Sequence, residues 1–189
     1  SGMFFMAVAD GMGSGKKAGY ESKTVIEILD SFLEAGFEID FAVKMVNTVM
    51  YLQSEEDMFS TLDICSIDMY TGKGEFIKTG GSAAYIVRDE RAKAIKSTTL
   101  PVGIVENIEP ENIYFELKDG DIVIMLTDGA ADVIEPLGAS VWIEKSLEEI
   151  KSKNPKDISD YILMKVKANE NGKTRDDMTV MSAIFWESL

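Results

Sequence analysis

Three acidic groups in this chain lie directly beside strand-like apolar runs, in segments far apart in the sequence. One apolar run ends in Asp10-Gly11, a second ends in Asp128-Gly129, and Asp176-Asp177 immediately precedes a third. A carboxylate at the exit of a buried strand is costly to bury unless it is paired or binds a cation. The pattern therefore predicts a fold whose strands bring the three groups together around a hard divalent cation.

The sequence contains no histidine. This excludes a Ser-His-Asp triad, a Cys-His pair, a phosphohistidine intermediate and a zinc site with histidine ligands. Any bound metal must be held by oxygen atoms, which favours Mg²⁺, Mn²⁺ or Ca²⁺ over zinc or copper.

The 189 residues carry a formal charge of −14 with an isoelectric point near 4.4, which argues against nucleic-acid binding through phosphates. An acidic surface attracts divalent cations and basic partners instead. No apolar run approaches the roughly 18 residues of a membrane helix, so we expect no membrane contact from this segment. The single cysteine, Cys65, suits a reducing compartment and is predicted to be a small core residue.

Hydrophobic periodicity predicts two helices, a β-rich middle, two further helices and a final strand. The predicted helices cover 16–35 (closed by Gly36), 41–53 (capped by Asp40), 140–151 and 157–168. The predicted strands cover 3–10 (buried), 62–70, 75–79, 83–88, 112–118, 121–127 and 178–186, with a hairpin turn at Asp119-Gly120. Helices grouped around successive hairpins indicate a single α+β layered domain over 1–189 with mainly antiparallel sheets.

The glycine-rich segment after the first run suggests two other kinds of site. A P-loop fails at two positions, because residue 10 is Asp where glycine is needed and residue 17 is Lys where Ser or Thr is needed. The stretch 13–18 does fit a G-x-G-x-x-A dinucleotide fingerprint, with Asp30 or Glu34 as the ribose carboxylate. A Rossmann-type enzyme is therefore an alternative, although it leaves Asp10, Asp128 and Asp176 unexplained.

Five motifs in a fixed order resemble the metal-dependent serine/threonine protein phosphatases, the PPM or type 2C family, and in particular its sporulation branch. They are Ala9-Asp10-Gly11-Met12-Gly13-Ser14-Gly15, Ser60-Thr61-Leu62-Asp63, Leu100-Pro101-Val102-Gly103-Ile104, Thr127-Asp128-Gly129 and Arg175-Asp176-Asp177-Met178-Thr179. The resemblance runs over essentially the whole chain. It implies a four-layer α-β-β-α sandwich with two Mn²⁺ or Mg²⁺ ions between the sheets.

The resemblance also implies roles for individual residues. Asp10 would bridge both metals, the carbonyl of Gly11 would bind one, and Asp128 and Asp176 would complete the carboxylate set. Asp177 stands where many members have Asn, so Asp176 is the favoured ligand of the adjacent pair. We list Asp10, Asp128 and Asp176 as catalytic. The family's phosphate-binding arginine lies upstream, and Lys17 or Lys16 is a candidate substitute.

The same resemblance implies a function and a context. The expected reaction is hydrolysis of phosphoserine or phosphothreonine by metal-activated water, on a phosphorylated anti-sigma-factor antagonist in sporulation control. A further acidic ligand of the family lies upstream, so one metal site is expected to be incomplete, and Ser1-Gly2 is typical of a cloning remnant. We expect a cytoplasmic domain of a membrane-anchored parent protein, with a homodimer formed through an open sheet edge. A catalytically silent interaction domain is the second alternative.

Overall fold

The computed structural model describes residues 2–13, 15–53, 59–150, 152–169 and 176–187. The strands are β1 (Met3–Gly11), β2 (Ser60–Asp68), β3 (Lys73–Thr79), β4 (Ala84–Arg88), β5 (Arg91–Ile95), β6 (Glu111–Glu116), β7 (Ile122–Leu126) and β8 (Val180–Ile184). The helices are α1 (Lys16–Glu34), α2 (Ile39–Leu52), α3 (Asp128–Ile134), α4 (Ala139–Ile150) and α5 (Pro155–Asn169). A 3₁₀ turn, Glu135–Leu137, follows α3.

The strands form two four-stranded sheets, in the orders β1-β2-β3-β6 and β5-β4-β7-β8. Every described strand pair is antiparallel. The predicted mainly antiparallel α+β fold is therefore confirmed, and the Rossmann alternative is wrong because it requires parallel strands.

Three hydrophobic clusters give the four layers. In the first, α1 and α2 cover the outer face of the first sheet, with Val25 and Val46 packed on Leu62. In the second, α3, α4 and α5 cover the outer face of the second sheet. The third lies between the sheets and includes Phe76 and Met125. An α-β-β-α sandwich results, as the sequence resemblance implied. Because β2 and β7 are covered on both faces, they read as continuous buried runs.

The first two helices follow their sequence signals closely. Gly36 has φ 82° and its N–H donates to the carbonyl of Leu33, so it closes α1 as predicted. The helix α2 begins at Ile39 with Glu38 at the N-cap position, so the prediction that Asp40 caps this helix is wrong. Asp40 instead lies in the first turn, where a carboxylate is also favourable.

The predicted hairpin between 112–118 and 121–127 is wrong. A tight turn forms there, with the N–H of Asp121 donating to the carbonyl of Lys118. The two flanking strands nevertheless join different sheets, because β6 pairs with β3 whereas β7 pairs with β4 and β8. The turn therefore passes the chain from one sheet to the other.

The strand β1 is less buried than predicted. It is an edge strand in the described sheet, and its first three residues are exposed, with Phe4 and Phe5 about 40% accessible. Only its inward positions, such as Met6 and Val8, enter the core between the sheets. Cys65 is fully buried there, as predicted, and burial raises its pKa to about 12. In the described part of the chain, no helix has the length and hydropathy to cross a bilayer.

Candidate active site

A polar cleft lies where the end of β1 meets the start of α1 and the segment before β8. It has a volume of about 380 Å³. Its lining residues are Asp10, Gly13, Ala18, Gly19, Ser22, Thr127, Asp176, Asp177, Met178 and Thr179. A larger groove of about 630 Å³ lies near Asp119 and Trp186, and its lining includes none of the predicted site residues.

Asp10 is held at this cleft by its backbone. Its N–H donates to Oγ1 of Thr61 (3.1 Å), and its carbonyl accepts from Oγ of Ser60 (2.9 Å). Its side-chain Oδ2 is buried and has no hydrogen-bond partner among the described residues. Desolvation first, and then repulsion from Asp176, Asp128 and Asp177 in that order, raise the pKa of the Asp10 carboxyl to about 6. One oxygen of the Asp10 carboxylate thus lacks a hydrogen bond, and burial and neighbouring negative charge disfavour its ionised form.

Asp128 lies one residue beyond Thr127 on the cleft wall and is the first residue of α3. Its Oδ1 accepts a hydrogen bond from Oγ of Ser82, in the loop before β4. The charge on Asp128 contributes to the raised pKa of Asp10, so the two carboxylates are near each other although one ends β1 and the other begins α3.

Thr127 ties the Asp176-Asp177 segment to the start of α3. Its N–H donates to the carbonyl of Thr179 (3.1 Å), and its Oγ1 accepts from the N–H of Thr179 (2.9 Å). The same hydroxyl donates to the carbonyl of Asp177 (3.3 Å). Within the acidic pair, the N–H of Asp177 donates to Oδ1 of Asp176 (2.9 Å). Asp176 exerts the stronger repulsion on Asp10, which favours Asp176 as the member facing it.

The predicted residues Gly11 and Lys17 lie at the junction of β1 with α1. Gly11 is buried, and a Cβ at this position would overlap the backbone of Ala18. Lys17 is in the first turn of α1. Burial raises the pKa of Glu21, and the positive charge of Lys17 opposes this rise in part. Neither residue is among those that line the cleft.

The arrangement fits a hard cation in chemistry and charge. The donors are carboxylates, and one buried carboxylate oxygen of Asp10 has no partner within the described ranges. Three other aspartates, Asp176, Asp128 and Asp177, are close enough to raise the pKa of Asp10. In the described residues, however, no three acidic, cysteine or histidine side chains are grouped tightly enough to form a complete metal site. The fold therefore brings the aspartates close enough to interact electrostatically, but it does not form a complete coordination shell from the described residues.

Comparisons with known proteins identify the family of the chain. The family described as Stage II sporulation protein E (SpoIIE) matches residues 1–185. The chain belongs to the SpoIIE family. It is 32% identical over 184 residues to Stage II sporulation protein E of Priestia megaterium, covering 97% of this chain and 32% of that protein. It is 31% identical over 176 residues to that of Bacillus subtilis (strain 168), covering 93% of this chain and 21% of that protein.

Solved structures place the SpoIIE-family chain in the PP2C fold. The structure of the PP2C phosphatase domain and a fragment of the regulatory domain of SpoIIE from Bacillus subtilis matches with a TM-score of 0.87 and 29% identity. That match covers 99% of this chain and 56% of the other. By family and fold, the chain is a SpoIIE-family domain with the PP2C fold, which confirms the predicted family and its sporulation branch.

Sequence reasoning missed several residues that support the site. Thr127 and Ser82 make the hydrogen bonds that hold the acidic segments, and Lys78 is buried beneath the Ser82 loop. Thr127 was recognisable in the Thr-Asp-Gly motif. A lysine directly after the apolar pair Phe76-Ile77, as at position 78, was the available signal for a buried ion pair.

Proposed function

We propose that this domain hydrolyses phosphoserine and phosphothreonine in proteins, with Mn²⁺ or Mg²⁺ bound by Asp10, Gly11, Asp128 and Asp176. The observation that carries the proposal is the buried, unpartnered Oδ2 of Asp10 among the described residues, in a cleft shared with Asp176 and beside Asp128. A bound divalent cation would lower the pKa of water and neutralise charge on the phosphoryl group.

The chain's own residues supply position and charge. Asp10 is fixed by its strand, Asp128 by the hydroxyl of Ser82, and the Asp176 segment by Thr127. Without histidine in the sequence, protonation of the leaving alkoxide falls to water. Because the chain carries a net charge of −14, a phosphorylated substrate is repelled unless cations occupy the site first.

Lys17 is our proposed phosphate-binding residue, since it directly precedes the cleft residues Ala18 and Gly19 in the first turn of α1. Replacing Lys17 with Ala should raise the KM for a phosphopeptide by about 10-fold, the size of a lost charge-assisted hydrogen bond, with little change in kcat. Lys23→Ala on the same helix is the matched control, because Lys23 is exposed and pairs with Glu27. An unchanged KM in the Lys17 variant would remove it from the site.

The physiological substrate is proposed to be a phosphorylated anti-sigma-factor antagonist in sporulation control. This rests on the family and on relatives of which the chain spans a third or less. The cytoplasmic location, the membrane-anchored parent and the homodimer remain predictions.

The test is Mn²⁺-dependent hydrolysis of p-nitrophenyl phosphate and of a phosphoserine peptide. We expect activity that requires Mn²⁺ or Mg²⁺, is abolished by EDTA, and is lost in Asp10→Ala. Asp119→Ala is the control, because Asp119 precedes a glycine at a surface turn outside the cleft. A folded protein with no hydrolysis at any Mn²⁺ concentration would instead support the silent interaction domain.

A further inference from the structure

A buried ion pair lies beneath the loop 80–82, which leads towards the site. Asp63 and Lys78 are directly opposite each other on β2 and β3. Their side chains are 6% and 0% exposed, and Nζ of Lys78 donates to Oδ2 of Asp63. Removing two charges from water is costly, and their attraction compensates only with good geometry and further hydrogen bonds. A contribution to stability is therefore a weak explanation for this buried pair, and its other contacts indicate a second role.

The second hydrogen bond of Lys78 connects this pair to the site. Its Nζ donates to the carbonyl of Ser82 at 2.7 Å, and Oγ of the same serine donates to Oδ1 of Asp128. Three successive contacts therefore link Asp63, in the first sheet, to Asp128, which follows β7 of the second sheet.

Two glycines allow the loop to lie directly on the ion pair. A Cβ at Gly81 would overlap the carboxylate of Asp63, so this position admits no side chain. Gly80 has φ 72°, in the left-handed region that glycine adopts without strain. The loop that carries Ser82 is therefore supported from below by the Asp63–Lys78 pair.

We infer that Asp63, Lys78 and Ser82 form a positioning chain that orients the carboxylate of Asp128 towards the cation of the cleft. With Oδ1 held by Ser82, the second carboxylate oxygen of Asp128 is left for the metal. The inference rests on the proposed function, because it assigns Asp128 a metal to bind. Residues that orient metal ligands typically change metal affinity by 10–100-fold when replaced.

The test measures Mn²⁺ binding by calorimetry, separately from hydrolysis, on the whole chain. Ser82→Ala should weaken Mn²⁺ binding about 10-fold and raise the Mn²⁺ concentration for half-maximal activity equally, with kcat at saturating Mn²⁺ retained. Ser82→Thr keeps a hydroxyl and should restore binding. The Tm of the metal-free Ser82→Ala protein should change by less than about 2 °C, since the lost group is one hydroxyl.

The ion pair itself needs a variant that still folds. Lys78→Met alone leaves Asp63 buried without its partner and should unfold readily. The double variant Asp63→Leu/Lys78→Met replaces both charges with apolar groups and should keep a Tm near that of the wild type. In our scheme this stable double variant binds Mn²⁺ about 10-fold more weakly, because Ser82 loses its support.

Arg88 provides the matched control. Its side chain is 38% exposed and pairs with the buried Asp121, donating from Nε to Oδ1 at 3.0 Å. Asp121 precedes β7, whereas Asp128 follows it, roughly 20 Å away along an extended chain. Arg88→Met should lower the Tm and leave Mn²⁺ affinity unchanged.

Wild-type Mn²⁺ affinity in Ser82→Ala, or in the stable double variant, would overturn the positioning chain. Failure of the proposed function has a different signature. In that case the wild type shows no hydrolysis at any Mn²⁺ concentration, while its Mn²⁺ affinity and the effect of each variant on it are still measured.

Discussion

Asp10-Gly11 and Asp128-Gly129 are the same dipeptide in two different local structures. The first pair ends the edge strand β1, whereas the second begins helix α3. In both, the glycine permits a close approach of backbone. A Cβ at Gly11 would overlap Ala18 of α1, and one at Gly129 would overlap the carbonyl of Asp177. Each glycine thus brings another part of the cleft against its aspartate.

The two aspartates differ in how their oxygens are satisfied. Oδ2 of Asp10 is buried with no hydrogen-bond partner in the described ranges, and its pKa is raised to about 6. Oδ1 of Asp128 accepts a hydrogen bond from Ser82. A repeated motif therefore yields one carboxylate that lacks a partner and one that is already oriented. By contrast, Gly120 of Asp119-Gly120 has φ 82° and open space around it. Glycine is therefore required there only by the backbone conformation of the turn.

The largest expected effect is on activity, and it should be common to both aspartates. Asp10→Asn and Asp128→Asn should each lower Mn²⁺-dependent hydrolysis by at least about 100-fold, because replacing a residue behind a metal ligand already costs 10–100-fold. Steady-state assays with p-nitrophenyl phosphate measure this. Full activity in either variant would show that this aspartate does not bind the metal, and the two aspartates would then not share a role.

A second activity measurement distinguishes Asp176 from Asp177, the two acidic residues packed against Gly129. Asp176→Asn should reduce hydrolysis by about 100-fold, as for a ligand, whereas Asp177→Asn should cost less than about 10-fold. The reason is that Asp176 exerts the larger repulsion on Asp10. The same assay at saturating Mn²⁺ decides between them, and the reverse order would assign the ligand to Asp177.

The close approaches at the two glycines predict losses of stability. Gly11→Ala and Gly129→Ala should each lower the free energy of unfolding by about 1–3 kcal/mol, because the added methyl group overlaps backbone that must shift. Gly19→Ala is the control: it is within α1 with nothing within 4 Å, and alanine there should add about 0.5–1 kcal/mol. Urea titration measures all three. Stability equal to the wild type in either test variant would contradict the packing described at that site.

The smallest effect is on the pH dependence of stability in EDTA. The carboxyl pKa of Asp10 is about 6 in the folded chain against 3.8 ordinarily, so the folded state holds this proton more tightly. Its contribution to stability is fully present below pH 3.8 and is lost as pH rises through about 6. At pH 7.5 the Asp10→Asn protein should therefore be the more stable, with a Tm higher by about 2–4 °C after allowance for solvent screening.

Thermal unfolding of both proteins from pH 4.5 to 7.5 checks this prediction. The difference in Tm should shrink towards the acid end of the range. The corresponding Asp128→Asn protein should show no such gain, because that change weakens the hydrogen bond from Ser82. A pH-independent difference between the wild type and Asp10→Asn would show that the charge of Asp10 is not what destabilises the metal-free fold.

Local signals in the sequence predicted four of the five described helices and most strands within a few residues, but they missed α3 and β5. The amphipathic spacing of Val25 and Leu29, and the glycine at position 36, were sufficient for α1 because helix periodicity and termination depend on residues within a few turns. The acidic positions of the cleft were also predicted from sequence, through apolar runs that end in aspartate and through the order of the family motifs.

The sheet that β6 joins and the sheet that β7 joins depend on contacts with distant segments, which no local pattern specifies. The turn between them forms as predicted, but the N–H of Leu117 donates to the carbonyl of Gly72, just before β3, and the N–H of Gly120 donates to the carbonyl of Phe185, just after β8. A turn is set by a few neighbouring residues, whereas the sheet that a strand joins is set by distant partners and by burial on both faces.

Residue order and type thus indicated which side chains carry charge to the ends of the strands and which can pack in the core. Only the tertiary structure decided that Asp10 has a buried oxygen without a partner in the described residues while Asp128 is held by Ser82. The physical reason is that hydrogen bonding and desolvation at the cleft arise between segments 46 or more positions apart, and their distances are fixed only when the two sheets pack together.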